Sequence, residues 1–170
     1  AIIFAFGQAQ DLAPIGGTSN VTLKPGITIP PLSAAPVIAW DNGPLVNSPS
    51  TGVGGADESV LQSTMSTFGF GFQSFAGNIL ADDFELAATT EITSILVYGY
   101  QTGSSTTSTI NDVYIEIYDA EPGAGGSVVW GNMTTNRMVS STWSGIYRVT
   151  ESASGTNTDR PIMECTCEIN

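Results

Sequence analysis

Four acidic residues could hold a metal ion. Asp82 and Asp83 are adjacent, and Asp119 and Glu121 lie beside the turn that contains Pro122. Hard cations such as Ca²⁺ need several oxygen ligands, which loops at the rim of a β fold can supply. The spacing matches no known calcium loop, so surface carboxylates bonded to turn amides or to arginines are the competing interpretation. Calcium remains a candidate ion for these four residues.

Aromatic residues are the second group with a chemical use. Phe68, Phe70 and Phe72 alternate with glycines, a pattern that would place three rings on one face of a strand. Core packing is one interpretation; a platform for stacking sugar rings is the other, because aromatic faces pack on apolar sugar faces. The candidate stacking residues are Phe70, Phe72, Trp130 and Trp143.

Covalent catalysis has few groups available. The chain has no histidine, and Lys24 is its single lysine. This composition excludes Ser-His-Asp and Cys-His mechanisms and the usual zinc sites. Two carboxylates about 5–9.5 Å apart could still hydrolyse a glycoside, but a sequence cannot show such a pair. We therefore expect the protein not to be an enzyme.

The charge balance limits the partners. The sequence has 16 Asp and Glu against 4 Lys and Arg, a net charge of −12. Nucleic acid and anionic membrane surfaces are not expected partners, because little could neutralise their phosphates. Arg137, Arg148 and Arg160 are expected to pair with carboxylates of the chain, with an acidic ligand as the alternative.

Cys165 and Cys167 lie two residues apart. In a strand their side chains share a face and their Cα atoms are about 6.5–7 Å apart, too far for an easy disulfide. We expect two buried thiols, with a strained redox pair or soft-metal site as the alternative.

The first ten residues, AIIFAFGQAQ, allow two interpretations. They resemble the end of an export signal, with Gly7-Gln8-Ala9 as a small-x-small cleavage site. They are too short to span a bilayer. The alternation of Ile2, Phe4 and Phe6 with Ile3 also suits a strand inserted into a neighbouring copy.

The remaining elements are those of an all-β protein in one domain. The frequent Gly and Pro residues predict an extended arm over residues 11–60, or an Ω-type loop wrapped on the core, with short strands near 20–23 and 37–40. Residues 61–170 predict the core, an antiparallel, jelly-roll-like β-sandwich with Ile92–Tyr100 as a central strand. Further strands are predicted at Ile79–Leu86, Val113–Tyr118, Ser127–Trp130, Ile146–Thr150 and Ile162–Ile169.

Several blocks are similar to a family of secreted bacterial β-sandwich proteins: GGADESVLQ, FGFGFQ, LADDFEL, YGYQTGS, TTNRMVSSTWSGIYRV and DRPIM, spanning about Asp41 to Met163. The resemblance implies export and a sandwich fold, and the family has no established activity. Its members continue past the strand at Ile162–Ile169, so we expect an open edge and a groove where the last strands would lie.

Two functional hypotheses follow. The favoured one is an extracellular or cell-surface structural subunit that self-associates into a homo-polymer. Ile2, Ile3, Phe4 and Phe6 of one copy would complete the sandwich of the next. The alternative is a secreted glycan-binding or adhesive module, with or without calcium. Neither hypothesis involves a membrane span.

Overall fold

The structure, a computed structural model, describes residues 2–8 and 37–169. Within these ranges the chain forms strands and short 3-10 turns and no α-helix, which confirms the predicted all-β class. The turns are Val53–Gly55, Ser74–Ala76 and Glu151–Ala153. The strands are β1 Ile2–Gln8, β2 Asp57–Leu61, β3 Leu80–Asp82, β4 Ser94–Tyr100, β5 Ile110–Tyr118, β6 Val128–Asn132, β7 Met138–Thr150 and β8 Pro161–Glu168.

The described strands form two four-stranded sheets, in the orders β3-β1-β5-β6 and β2-β7-β8-β4. All neighbours run antiparallel except β2 and β7, which are parallel. The predicted antiparallel arrangement is therefore wrong at this pair. A parallel pair needs a long connection between its strands, and here that connection contains β3 to β6.

Residues of both sheets share one hydrophobic cluster. Val113 and Ile115 of β5 have no exposed surface, and neither do Cys165 and Cys167 of β8. From Met163 onward, alternate residues of β8 are buried, because successive side chains of a strand point to opposite faces. Both cysteines are free thiols in this cluster, as the alternation predicted.

Strand β4 lies at the edge of its sheet, with β8 as its only strand neighbour among the described residues. Its predicted central position is therefore wrong. Leu96 and Tyr98 are 45% and 41% exposed, so the continuous apolar run reflects a partly open outer face rather than burial on both sides.

The N-terminal half departs from the predicted loop arm in two places. Strand β2 begins inside the predicted arm, while residues 37–40 form no strand and Val37 is 90% exposed. The strand predicted near residues 20–23 lies outside the described residues. Residues 68–72 form a loop instead of a strand, so their alternation does not place the rings on one strand face.

Strand β1 occupies an inner position of its sheet. It pairs with β3 through Ile2–Phe4 and with β5 along its whole length. The chain thus accommodates its own N-terminal strand between β3 and β5. Insertion of the same strand into a second copy stays a prediction.

Candidate functional site

A groove with a volume of about 670 Å³ lies beside the loop of residues 68–73. The loop contributes aromatic rings, and β4 with the residues that follow it contributes phenol, amide and hydroxyl groups. The lining residues that carry these groups are Phe68, Phe70, Phe72, Gln73, Tyr98, Tyr100, Gln101, Thr102 and Arg148. We call this feature the aromatic groove.

The three phenylalanines of the loop have different environments. Phe70 is 76% exposed. Phe72 packs against the hydrophobic cluster, and the Phe68 ring covers the guanidinium of Arg160 with 3.9 Å between the carbon and the ring centroid. The intervening Gly69 lies near Tyr100, whose Oη would be 3.7 Å from an added Cβ. The loop therefore presents one free ring at the groove and anchors two.

Arg148 of β7 fastens the aromatic loop to the second sheet. Its Nε donates to the Phe68 carbonyl at 3.0 Å. Its Nη1 donates to the carbonyl and the Oγ of Ser59 at 3.2 and 3.1 Å. Burial lowers the pKa of Arg148, and the nearby Tyr100 phenol acts in the opposite direction. The guanidinium is partly withdrawn from water and bonded to uncharged oxygens.

Arg160 immediately precedes β8 and lies opposite Arg148 of β7. The Arg148 backbone N–H donates to the Arg160 carbonyl at 2.9 Å, which continues the pairing of Tyr147 with Pro161 by one residue. Residues directly opposite each other in such a ladder project their side chains on the same face. Two of the chain's four cationic residues therefore meet at the aromatic loop.

Tyr98 carries a second polar group of the groove. Its hydroxyl donates to Glu164 Oε2 at 2.9 Å. Burial, this hydrogen bond and the charges of Glu164 and Asp41 raise the pKa of Tyr98 to about 12. The phenol is therefore neutral throughout the physiological range, a hydrogen-bonding group rather than an acid.

The predicted calcium ligands form no cluster of three or more among the described residues. Asp82 ends β3 and Asp83 follows it, while Asp119 Oδ1 accepts from the Ser127 N–H at 2.7 Å and Glu121 closes a turn through its carbonyl. Among the residues of the two described ranges, no group of three or more Asp, Glu or Cys side chains could hold a metal ion.

Only two of the four predicted stacking residues lie at the aromatic groove. Phe70 and Phe72 line the aromatic groove, whereas Trp130 and Trp143 are not among its lining residues. Trp130 lies under the Arg137 guanidinium at 4.4 Å, and Arg137 Nε is buried with no described hydrogen-bond partner. Trp143 donates to the Ile146 carbonyl and lines a separate hollow of about 410 Å³.

The arginines do not make the predicted pairs with carboxylates of the described chain. Their contacts are instead to rings, backbone carbonyls and a serine, as given above. The sequence did not predict that Tyr98, Tyr100 and Arg148 line one groove. Only the register of β4, β7 and β8 could have shown that they converge, because they are distant in sequence.

A buried carboxylate supports the sheet that carries the arginines. Glu58 of β2 has no exposed surface. It accepts hydrogen bonds from Thr51 Oγ1, Ser154 Oγ and the Gly155 N–H at 2.7, 2.5 and 2.9 Å. Burial raises its pKa, but the three hydrogen bonds outweigh burial and leave the pKa below its ordinary value. This group stabilises loops and does not face the groove.

The predicted inter-subunit residues all lie on β1. Ile2, Ile3 and Phe4 are paired on both sides, with β3 and β5, and Phe6 is paired with Val113 of β5. Their positions in the sheet are therefore internal to one copy of the chain.

Comparison with models of protein families, with curated proteins and with solved structures finds no match to this chain. No helix in the described parts of the chain has the length and apolar character needed to cross a bilayer. The geometry of the aromatic groove is therefore the main indication of function.

Proposed function

We propose that the protein is a secreted, non-catalytic domain that binds glycans in the aromatic groove. The observation that carries this proposal is the convergence of phenylalanine, tyrosine, amide and arginine side chains on one concave surface. Binding sites of this type combine apolar and aromatic walls with a few polar groups that fix orientation.

The chemistry of the lining suits a sugar. The exposed ring of Phe70 offers a flat apolar face to the C–H groups of a pyranose. Gln73, Gln101 and Thr102 offer donors and acceptors to its hydroxyl groups. A volume of about 670 Å³ is enough for an oligosaccharide of a few residues, since typical small-molecule sites are about 300–1,000 Å³.

The architecture that presents the groove is proposed to be a jelly-roll-like β-sandwich. Two sheets with one shared hydrophobic cluster support this assignment. The proposed extracellular location is supported by the resemblance to secreted sandwich proteins and by the composition. Calcium takes no part in the proposed binding, because the groove is lined by uncharged and cationic groups.

A glycan array with the full chain tests the proposal. Phe70→Ala removes the free ring of the groove, and Phe75→Ala is the matched control, because Phe75 is 73% exposed and is not a lining residue. We expect Phe70→Ala to weaken binding at least tenfold, since stacked aromatic pairs contribute about 0.5–1.5 kcal/mol beyond the area that the ring buries. Equal effects of the two substitutions, or an array without binding, would contradict the proposal.

A second candidate function is assembly by strand complementation between copies, as the sequence favours. The observation that supports it is the inner position of β1, whose removal would separate β3 from β5. A strand that fits this gap in its own chain would also fit it in an identical chain.

Cysteines placed at the paired positions Ala5 and Tyr114 distinguish the two arrangements. A disulfide within one chain leaves a monomer on a non-reducing gel, whereas exchange between copies gives a ladder that collapses on reduction. In the chain without these cysteines, deleting residues 1–10 should abolish assembly, measured by size-exclusion chromatography. A monomer at high protein concentration would rule out assembly by this strand.

A further inference from the structure

Arg148 and Arg160, beside the aromatic loop, both have hydrogen-bond donors without an acceptor among the described residues. The Arg148 Nε–H and Nη1 hydrogens donate to Phe68 and Ser59. Its Nη2 hydrogens have no acceptor in the described part of the chain. Arg160 makes a ring contact with Phe68 and no side-chain hydrogen bond to a described residue. Both guanidinium groups can therefore donate hydrogen bonds to an additional partner.

Their juxtaposition is unfavourable without such a partner. Like charges directly opposite each other on neighbouring strands destabilise a sheet. Here the opposition of Arg148 and Arg160 follows from the backbone hydrogen bond between them, at 2.9 Å. The chain has 16 acidic residues, yet neither arginine meets a carboxylate within the described ranges. An external anion would neutralise the pair.

The surroundings favour an anion that belongs to a sugar. Arg148 lines the aromatic groove, and Arg160 borders it through Phe68. A guanidinium provides planar, charge-assisted hydrogen bonds to carboxylate or sulfate oxygens. A sugar that carries such a group could place its ring against Phe70 and its oxyanion at the arginines.

We propose that Arg148 and Arg160 together select acidic saccharides, whose carboxylate or sulfate oxygens accept hydrogen bonds from the two guanidinium groups. This inference depends on the proposed glycan-binding function and adds the class of ligand. The net charge of −12 repels a polyanion at long range. Selection must therefore come from the direct contacts, which act within the Debye length of about 8 Å at 0.15 M salt.

The test is calorimetric titration of the full chain at about 0.15 M salt. One ligand is a short oligogalacturonate, the second is its methyl ester, which has the same length and no charge, and the third is a sulfated oligosaccharide of similar length. The acidic ligands should bind at least tenfold more tightly than the ester. The stronger of the carboxylated and sulfated ligands identifies the oxyanion.

Arg160→Gln is the main comparison, because it removes the charge of Arg160 while Arg148 still binds the loop through the Phe68 carbonyl. It should remove most of the preference for acidic ligands and leave binding of the ester unchanged. Arg148→Lys should weaken binding of the ester as well as of the acids, because it also removes the hydrogen bonds to Phe68 and Ser59. Arg137→Gln is the matched control, since Arg137 also lies over a ring, that of Trp130, but not at the groove.

The outcomes separate the two proposals. Equal binding of the acid and the ester, or an unchanged preference in Arg160→Gln, would overturn the selection of acidic saccharides and leave glycan binding intact. Loss of preference in Arg137→Gln to the same degree would also overturn it, because a general charge effect would then explain the result. Binding of none of the three ligands, with no binding on the array, would overturn both.

Discussion

Glu58→Gln is the substitution that most sharply tests how the second sheet is stabilised. The new amide has almost the same shape as the carboxylate but no charge. The carboxylate accepts three hydrogen bonds, from Thr51, Ser154 and Gly155. A glutamine can keep the bond from the Gly155 N–H through its oxygen, while its NH₂ group faces hydroxyls that previously donated.

The magnitude follows from these three bonds. Hydrogen bonds to a charged group contribute about 1.5–3 kcal/mol and neutral ones about 0.5–1.5 kcal/mol. Exchanging charged for neutral acceptors therefore costs about 1 kcal/mol per bond, about 3 kcal/mol in all, and release of the buried charge offsets part of this cost. We expect a net loss of about 2 kcal/mol, or about 4–8 °C in Tm for a domain of this size.

The pKa of Glu58 determines how the stability difference between wild type and Glu58→Gln changes with pH. The folded-state pKa of Glu58 is below the ordinary value of 4.5. Its contribution is therefore present above pH 4.5 and is lost as the pH falls through the folded-state pKa. The difference in stability between wild type and Glu58→Gln should be largest near pH 7 and should shrink in acid.

Urea denaturation at several pH values measures this difference. Glu91→Gln, at an exposed glutamate, is the control and should change the free energy of unfolding by less than about 0.5 kcal/mol. A Glu58→Gln loss equal to that of the control, or one that is the same at pH 7 and in acid, would refute the reasoning.

Two further predictions concern the backbone and the core. Gly131 has φ 86°, and an added Cβ would lie 2.1 Å from the Ile115 carbonyl oxygen, so Gly131→Ala should cost more than about 2 kcal/mol in a thermal melt. Gly54→Ala, at φ 70° in open space, should cost about 1 kcal/mol, and equal losses would contradict the steric argument. Burial raises the pKa of the Cys165 thiol and raises that of Cys167 to about 12. Both should resist iodoacetamide until the protein unfolds, and rapid labelling of the native chain at pH 8 would show that the cluster is open.

The sequence predicted the later strands better than the earlier part of the chain. The alternation around Cys165 and Cys167 survives in β8 because a half-buried strand has a period of two. The aromatic run from Phe68 to Phe72 shows the same alternation but forms a loop, in which the Phe68 carbonyl accepts from Arg148 and the Phe68 ring contacts Arg160. Local periodicity does not contain such tertiary contacts.

The candidate site was predicted only in part. Phe70 and Phe72 were identified by residue type, and both line the groove. The arginines were expected to pair with carboxylates of the chain, because the sequence has 16 acidic residues. Composition gives the number of acidic residues but not their positions in the fold. Glu58 was missed for the same reason, since its three donors come from two loops on either side of β2 in sequence.

The most direct test of the central claim is a titration of ¹⁵N-labelled protein with the best oligosaccharide from the array, followed by amide chemical shifts. Glycan binding in the aromatic groove predicts the largest shifts at Gly69, Gly71 and Gly99, which line it. Shifts centred on Gly54 and Gly145 of the smaller hollow, or no shifts at saturating ligand, would contradict the account.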